Sequence, residues 1–239
     1  MLTLKDPPLH PLISASILAA DFASLGDECE HVLGQGVDML HLDVMDGHFV
    51  PNLTMGPAVC RSLRERFPET FLDVHLMTER PGDWIEPFAE AGANHISFHI
   101  ECCQPLRADG YDPQKLIDRI HHHQMSAGLV VNPDTEVTQI TPWLESVDLV
   151  LLMSVHPGYA GQKFIPEVLE SVRWVSQVVD RHTRVQIDGG VKAHNAADCV
   201  NAGVDVIVIA SGLFHADDRQ AVVQKLHDAG GSQWMRARR

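Results

Sequence analysis

Four residues of this chain combine types and spacings that can hold a cation and move a proton. His41 and Asp43 stand two apart in the run MLHLDVMD (39–46), His75 lies in FLDVHLM (71–77), and Asp188 lies in RVQIDGG (184–190). Extended residues i and i+2 share one face, so His41 and Asp43 point together if Leu40 and Leu42 point the other way. Two imidazoles and two carboxylates suit Zn2+, Mn2+, Fe2+ or Co2+ and are too rich in nitrogen for Mg2+ or Ca2+. Any one of the four could be an isolated core residue bonded to backbone. All four inside apolar runs point to a shared site, because burying such a group without a partner is costly. Two carboxylates on opposite sides of one carbon make an acid–base pair for inversion, one taking a proton and the other returning one from behind. A C–H beside a ketone is too weak an acid for a carboxylate alone. A divalent cation would stabilise the developing negative charge and ease the repulsion between the aspartates.

The elements that must position these groups recur along the chain. Apolar runs occupy 12–20, 39–46, 71–77, 95–101, 126–132, 148–155, 184–190 and 205–212, and helix-like stretches lie around Phe22–Gly34, Gly82–Ala91, Pro113–His123 and Pro166–Arg181. A spacing of about 25–35 residues per strand is what a βα unit needs to return parallel. Eight such units predict an α/β fold, a TIM (β/α)8 barrel, as one domain over residues 1–239, with the barrel at about 12–230 and short extensions. An open doubly wound sheet is the rival, weakened by the lack of a GxGxxG turn and by polar residues inside the strands. In a closed ring of eight, the second and seventh strands are three steps apart, so Asp43 and Asp188 can approach a flat substrate from opposite faces. His99, closing the fourth run, either lies near this site or bonds a backbone carbonyl.

Composition narrows the partners. With 18 Lys and Arg against 32 Asp and Glu, the formal charge is −14, which argues against nucleic acid and anionic membranes. Cys29, Cys60, Cys102, Cys103 and Cys199 form no CxxC pair and are expected to be reduced thiols in a cytoplasmic protein. The start, MLTLKDPPLHPL, reads as no secretory signal, and no apolar run is long enough to span a bilayer. An anionic substrate would be gripped locally. PGYAG (157–161), DGG (188–190) and IASG (209–212) end three successive strands, and glycine lets backbone N–H groups approach a phosphate closely. Each glycine alone is ordinary turn chemistry; three at the expected strand ends fit a phosphate site.

SILAADFA (16–23), HLDVMDGHFVPN (41–52), DVHLM (73–77), MSVHPGYAGQKFIP (153–166) and QIDGGV (186–191) closely resemble the ribulose-phosphate 3-epimerase family, across about 13–214. The resemblance implies a ribulose-phosphate-binding barrel that interconverts D-ribulose 5-phosphate and D-xylulose 5-phosphate in the pentose phosphate pathway. It also implies a cytoplasmic homo-oligomer with one divalent transition metal per subunit. On the matching positions, His41, Asp43, His75 and Asp188 would be metal ligands, with Asp43 and Asp188 the acid–base pair. Ser16 would stand at the substrate end of the first strand, and Met45, Met77 and Met153 would line the pocket, with His75 also touching substrate. Gly158, Tyr159, Ala160 and Gly161 would form a loop over substrate, and Gly189, Gly190, Ala210 and Ser211 the phosphate grip. The chain departs from the family pattern at His156, where Asn is usual, at Tyr159-Ala160, where Phe-Gly is usual, and at Ala210, where glycine is usual. These changes bear on substrate preference, with D-allulose 6-phosphate as an alternative.

Other features read as structural. His121, His122 and His123 fan out over a helix and suggest a solvated helix end. Trp84, Trp143, Trp174 and Trp234 show no stacking pattern, and the basic tail WMRARR reads as a solvated end. A decarboxylase like the orotidine-phosphate group would need a strand-borne Asp-x-Lys-x-x-Asp, but Asp43-Val44-Met45-Asp46 has no lysine. A non-catalytic sugar-phosphate-binding barrel would not need both aspartates.

Overall fold

Alternation within the apolar runs decides the architecture. Leu40, Leu42 and Val44 join Val32, Cys60 and Leu63 in one large apolar cluster between strands and helices. Met39, on the other face, belongs to a smaller cluster with Leu12, Phe71, Leu149 and Leu151. A computed structural model of the chain describes residues 2–5, 8–159 and 161–230. Eight strands form a closed parallel barrel in chain order: β1 (Leu12–Ser16), β2 (Met39–Met45), β3 (Phe71–Met77), β4 (His95–His99), β5 (Ser126–Val131), β6 (Leu149–Met153), β7 (Arg184–Asp188) and β8 (Val206–Ile209). Each predicted run supplies one strand, and the open-sheet alternative is excluded by the pairing of β1 with β8.

The outer helices are α1 (Leu25–Gly34), α2 (Pro57–Arg66), α3 (Ile85–Glu90), α4 (Pro113–His122), α5 (Val168–Val178), α6 (Ala196–Ala202), α7 (Ser211–Phe214) and α8 (Arg219–Asp228). Proline opens α2 and α4, where its missing N–H costs nothing, and Asp112 caps α4 by accepting from Gln114 N–H. Between β5 and β6 the crossover is a 3-10 helix, Val137–Trp143, with Pro142 inside it. His121 and His122 are exposed at the end of α4, as expected of a solvated helix end, and His121 Nε2 also lies 2.8 Å from Asp148 Oδ2. All five cysteines are free and buried. Trp84, Trp143 and Trp174 pack against the large cluster; Trp234 and the tail lie outside the described residues. Among the described residues, no helix is long and apolar enough to cross a membrane.

A repeated device closes the end of the barrel where the strands begin. Asp38, Asn94, Asp148 and Asp205 each precede an even-numbered strand, and each side chain accepts a backbone N–H from the strand before it. The donors are Ile13, Leu72, Ala127 and Val185, at 2.8, 2.8, 2.9 and 2.9 Å. The same four residues return their own N–H to the carbonyl of the same donor. Each strand pair is thereby locked in register, since slipping by one residue would strand a carboxylate or amide. The opposite end is left free for chemistry, as in other barrels of this type.

Candidate active site and metal centre

The parallel register carries the four predicted residues to one end of the barrel. Ser16 pairs with His41, Asp43 with His75, and Met153 with Asp188 across adjacent strands. One atom from each of His41, Asp43, His75 and Asp188 lies within 4.8 Å of the others, so the group could hold a metal ion. Asp43 Oδ1 lies 3.3 Å from His41 Nε2 and 3.2 Å from His75 Nδ1, and Asp188 Oδ2 lies 4.0 Å from the same His75 nitrogen. Ser16 Oγ donates to the other Asp43 oxygen at 2.5 Å, and Thr54 Oγ donates to the Asp43 carbonyl. The Ser16 bond orients the carboxylate and the Thr54 bond holds the backbone that carries it.

The donor chemistry fits a transition metal. His41 Nδ1 lies 2.8 Å from Asp73 Oδ2, so the ring donates its Nδ1–H there. His41 Nε2 is buried and has no hydrogen-bond partner, an orphan aimed at Asp43. A cation bound by that nitrogen removes the anomaly, and the Asp73 bond is the outer support that ligand histidines usually have. Asp73 Oδ2 also accepts from Ser14 Oγ at 3.1 Å and Gln186 Nε2 at 2.7 Å.

The two aspartates titrate in opposite directions. Burial opposes charge on Asp43, but the imidazoles of His41 and His75 outweigh it and hold the carboxyl well below its usual range. Burial, reinforced by the Asp43 charge, pushes Asp188 up to about 7. Burial also lowers His75 to about 4, so its ring is neutral at physiological pH. His41 is pulled the other way: Asp73 and Asp43 overcome burial and raise it.

Above the four residues lies a cavity lined by Ser16, Asp43, Asp188 and the methionines Met45, Met77 and Met153. Gly158, Tyr159, Gly161, Gly189, Gly190, Ala210 and Ser211 line it too, as the sequence predicts; Ala160 lies outside the described residues. His41 and His75 do not line it. Both are fully buried, and His75 Nδ1 faces Asp43 and Asp188. Gly190 has φ +65, and a Cβ there would stand 2.5 Å from the Phe164 backbone nitrogen, so only glycine fits. Ala210, by contrast, has φ −111, which a β-carbon tolerates.

The loop over the cavity is latched. Asn52 Nδ2 donates to the Gly158 carbonyl at 2.9 Å, and Tyr159 OH donates to Pro51 O at 3.2 Å. His156 faces Asp134 at 3.6 Å and is not among the residues lining the cavity. Sequence reasoning missed Lys192, the one Lys or Arg among the described lining residues, and Asp73. Asp73 was legible by the i, i+2 rule, since it stands two before His75. Lys192 follows the DGG turn, where a cation beside a phosphate grip could have been noticed.

Comparisons with known proteins give the family. The profile of the ribulose-phosphate 3 epimerase family matches residues 12–214. Ribulose-phosphate 3-epimerase of Serratia marcescens is 44% identical over 211 residues, covering 87% of this chain and 97% of that protein. The enzyme of the same name from Aquifex aeolicus is 43% identical over 218 residues, covering 90% and 95%. That of Escherichia coli strain K12 is 41% identical over 219 residues, covering 90% and 94%. Among solved structures, KGPDC from Streptococcus mutans superposes with a TM-score of 0.67 at 14% identity, covering 92% of this chain and 97% of that one. 3-Hexulose-6-phosphate synthase from Salmonella typhimurium gives 0.64 at 15% identity, covering 92% and 98%. These two likenesses concern the barrel fold alone. From the sequence match over most of its length, the chain belongs to the ribulose-phosphate 3-epimerase family.

Proposed function

We propose that this chain is a 3-epimerase interconverting D-ribulose 5-phosphate and D-xylulose 5-phosphate, with Asp43 and Asp188 as its two bases. The observation that carries the reading is the convergence of these carboxylates, from strands three steps apart, beside two buried imidazoles. Without a metal, the two carboxyls are shifted apart, Asp43 downward by its imidazole neighbours and Asp188 upward to about 7 by burial and the Asp43 charge, which suits one base and one acid. In one direction Asp43 removes the C3 proton and Asp188 protonates the opposite face; in the other the roles exchange.

His41 Nε2, Asp43, His75 Nδ1 and Asp188 would hold one Zn2+, Fe2+, Mn2+ or Co2+ ion, which supplies Lewis-acid charge beside the reacting carbon. Ser16 donates to Asp43 Oδ2, while Oδ1 faces the His41 and His75 nitrogens, so the two oxygens of this carboxylate have different neighbours. Met45, Met77 and Met153 place apolar surface around that carbon and keep bulk water from exchanging its proton. The backbone of Gly189, Gly190 and Ser211, with the Lys192 ammonium, receives the phosphate. The five buried thiols suit a reducing compartment, in keeping with a cytoplasmic pentose phosphate enzyme acting through one barrel domain.

The test is a coupled epimerisation assay of the purified protein on D-ribulose 5-phosphate and D-allulose 6-phosphate, with elemental analysis. Faster turnover of the pentose phosphate, about one metal ion per chain and loss of activity on chelation are expected. Asp43→Asn and Asp188→Asn should each lose epimerisation by about a thousandfold or more. Each can still exchange the C3 proton of one epimer with D2O, because one base remains. Full turnover by either variant contradicts the two-base scheme.

A further inference from the structure

A second cluster of nitrogen and oxygen donors stands at the other end of the barrel, where the strands begin. His10 lies two residues before β1, Asp38 immediately precedes β2, and His227 lies in the last turn of α8. One donor atom from each lies within 4.8 Å of the others. Among the described residues this is the one such group besides the four at the active site.

The fold has its own reasons for bringing these residues together. Asp38 accepts Ile13 N–H on Oδ2 at 2.8 Å, so its carboxylate is already held in place. Gly36 turns the chain between α1 and β2 with φ +98, and a Cβ there would stand 3.6 Å from Val223 and 4.0 Å from the His227 ring. The turn therefore rests on α8, whose Val223 and Leu226 are buried, and His227 Nε2 comes to 3.1 Å from Asp38 Oδ2. The side chains of His227 and Asp38 are 20% and 19% exposed, which leaves a path for an ion from water.

An ion pair accounts for His227 and Asp38 but not for His10. Its ring lies 4.2 Å from that of His227 at a tilt of 52°, so a second imidazole stands by a carboxylate that already has one. His10 Nδ1 lies 3.2 Å from the Pro11 carbonyl, which can only accept. That nitrogen therefore carries the hydrogen, and in the neutral ring Nε2 is left to bind. A carbonyl behind the ring is the outer support that ligand histidines commonly have. Two ligands about 2.0–2.1 Å from a tetrahedral ion stand roughly 3.3 Å apart, close to the 3.1 Å between His227 Nε2 and Asp38 Oδ2.

We infer that His10, Asp38 and His227 form a second metal site, for a divalent transition ion such as Zn2+, that fastens the segment before β1 to the last helix. The ion takes the place of the proton between His227 Nε2 and Asp38, which passes to solvent, and water completes the coordination. The site faces away from the catalytic cavity, so its occupancy bears on stability and not on turnover. It does not depend on the epimerase reading.

The test uses Zn2+ and the full chain, with His41→Gln/His75→Gln to silence the active-site group. Equilibrium dialysis of that variant should give about one Zn2+ per chain. Adding His10→Gln or His227→Gln should weaken this binding by at least about 10- to 100-fold, since even loss of an outer partner costs that much. Zn2+ at a hundredfold excess over Kd should raise Tm by roughly 5 °C, and either substitution should remove the rise. Metal-free melts of the variants within a few degrees of one another separate lost binding from lost folding. In the chain with an intact active site, His10→Gln and His227→Gln should each take away one bound ion and leave kcat unchanged. No Zn2+ uptake by the silenced variant, uptake that survives both substitutions, or retention of every ion in the otherwise intact chain overturns the inference. Whether an ion remains after His227→Gln in that chain decides the active-site metal separately.

Discussion

Replacing Asp188 by Asn should make the metal-free protein more stable while destroying its activity. The Asp188 carboxyl sits beside Asp43 in a buried position and is raised from 3.8 to about 7. Holding it ionised in the folded state therefore costs on the order of 4 kcal/mol relative to the unfolded chain. An acid whose folded pKa exceeds its unfolded value is more readily protonated when folded. Stability from this group is thus level below about pH 4, falls as pH rises toward 7, and stays low above that. Asparagine removes the charge but must still satisfy its own amide, so a net gain of roughly half, about 2 kcal/mol, is expected above pH 7. For a chain of this size that corresponds to roughly 4–8 °C in Tm. The assay is thermal unfolding of parent and variant with a chelator present, from pH 4 to pH 8.5. The two curves should converge at the acid end and separate as pH rises. With excess Co2+ the order should reverse, because the parent alone keeps all four ligands. A variant less stable than the parent at pH 8 without metal, or a gap independent of pH, would refute the reasoning.

Three further outcomes follow from other parts of the molecule. Asp38→Ala, Asp148→Ala and Asp205→Ala each orphan a strand N–H and should cost about 1–3 kcal/mol in urea melts. Their kcat should be unchanged, since the lost bonds lie at the far end of the barrel. Lys192→Gln should raise KM for a phosphorylated substrate by about fivefold, for about 1 kcal/mol, with kcat nearly constant and with weaker salt dependence. The thiols should resist a disulfide reagent in the native protein and react in denaturant, because burial pushes Cys29, Cys102 and Cys199 up to about 12 and Cys60 to about 11.

Much of this was legible in the sequence, and the misses are informative. The two-residue spacing of His41 and Asp43 within MLHLDVMD already assigned both side chains to the barrel axis, because a strand has only two faces. The same rule applied to DVHLM would have found Asp73 two residues before His75. The strand-entry clamps were also written in the chain, as GVDML, GANHI, SVDLV and GVDVI before β2, β4, β6 and β8. Their short motif was hidden because the residues between them are unrelated. His156 could be judged only in three dimensions, since a loop residue beside a cavity can face inward or, as here, toward Asp134.

By itself the sequence determined the number of strands, the faces of their side chains and the identity of the four clustered residues, all of which depend on periodicity and residue type along one strand at a time. Only the tertiary structure decided that the four residues converge, that burial and neighbouring charge shift the two aspartates in opposite directions, and that His99 and Glu101 stand behind the site. Those properties depend on distances between strands far apart in the chain, fixed when the barrel closes and water is expelled, and a difference of about one ångström there changes a partner or reverses a titration.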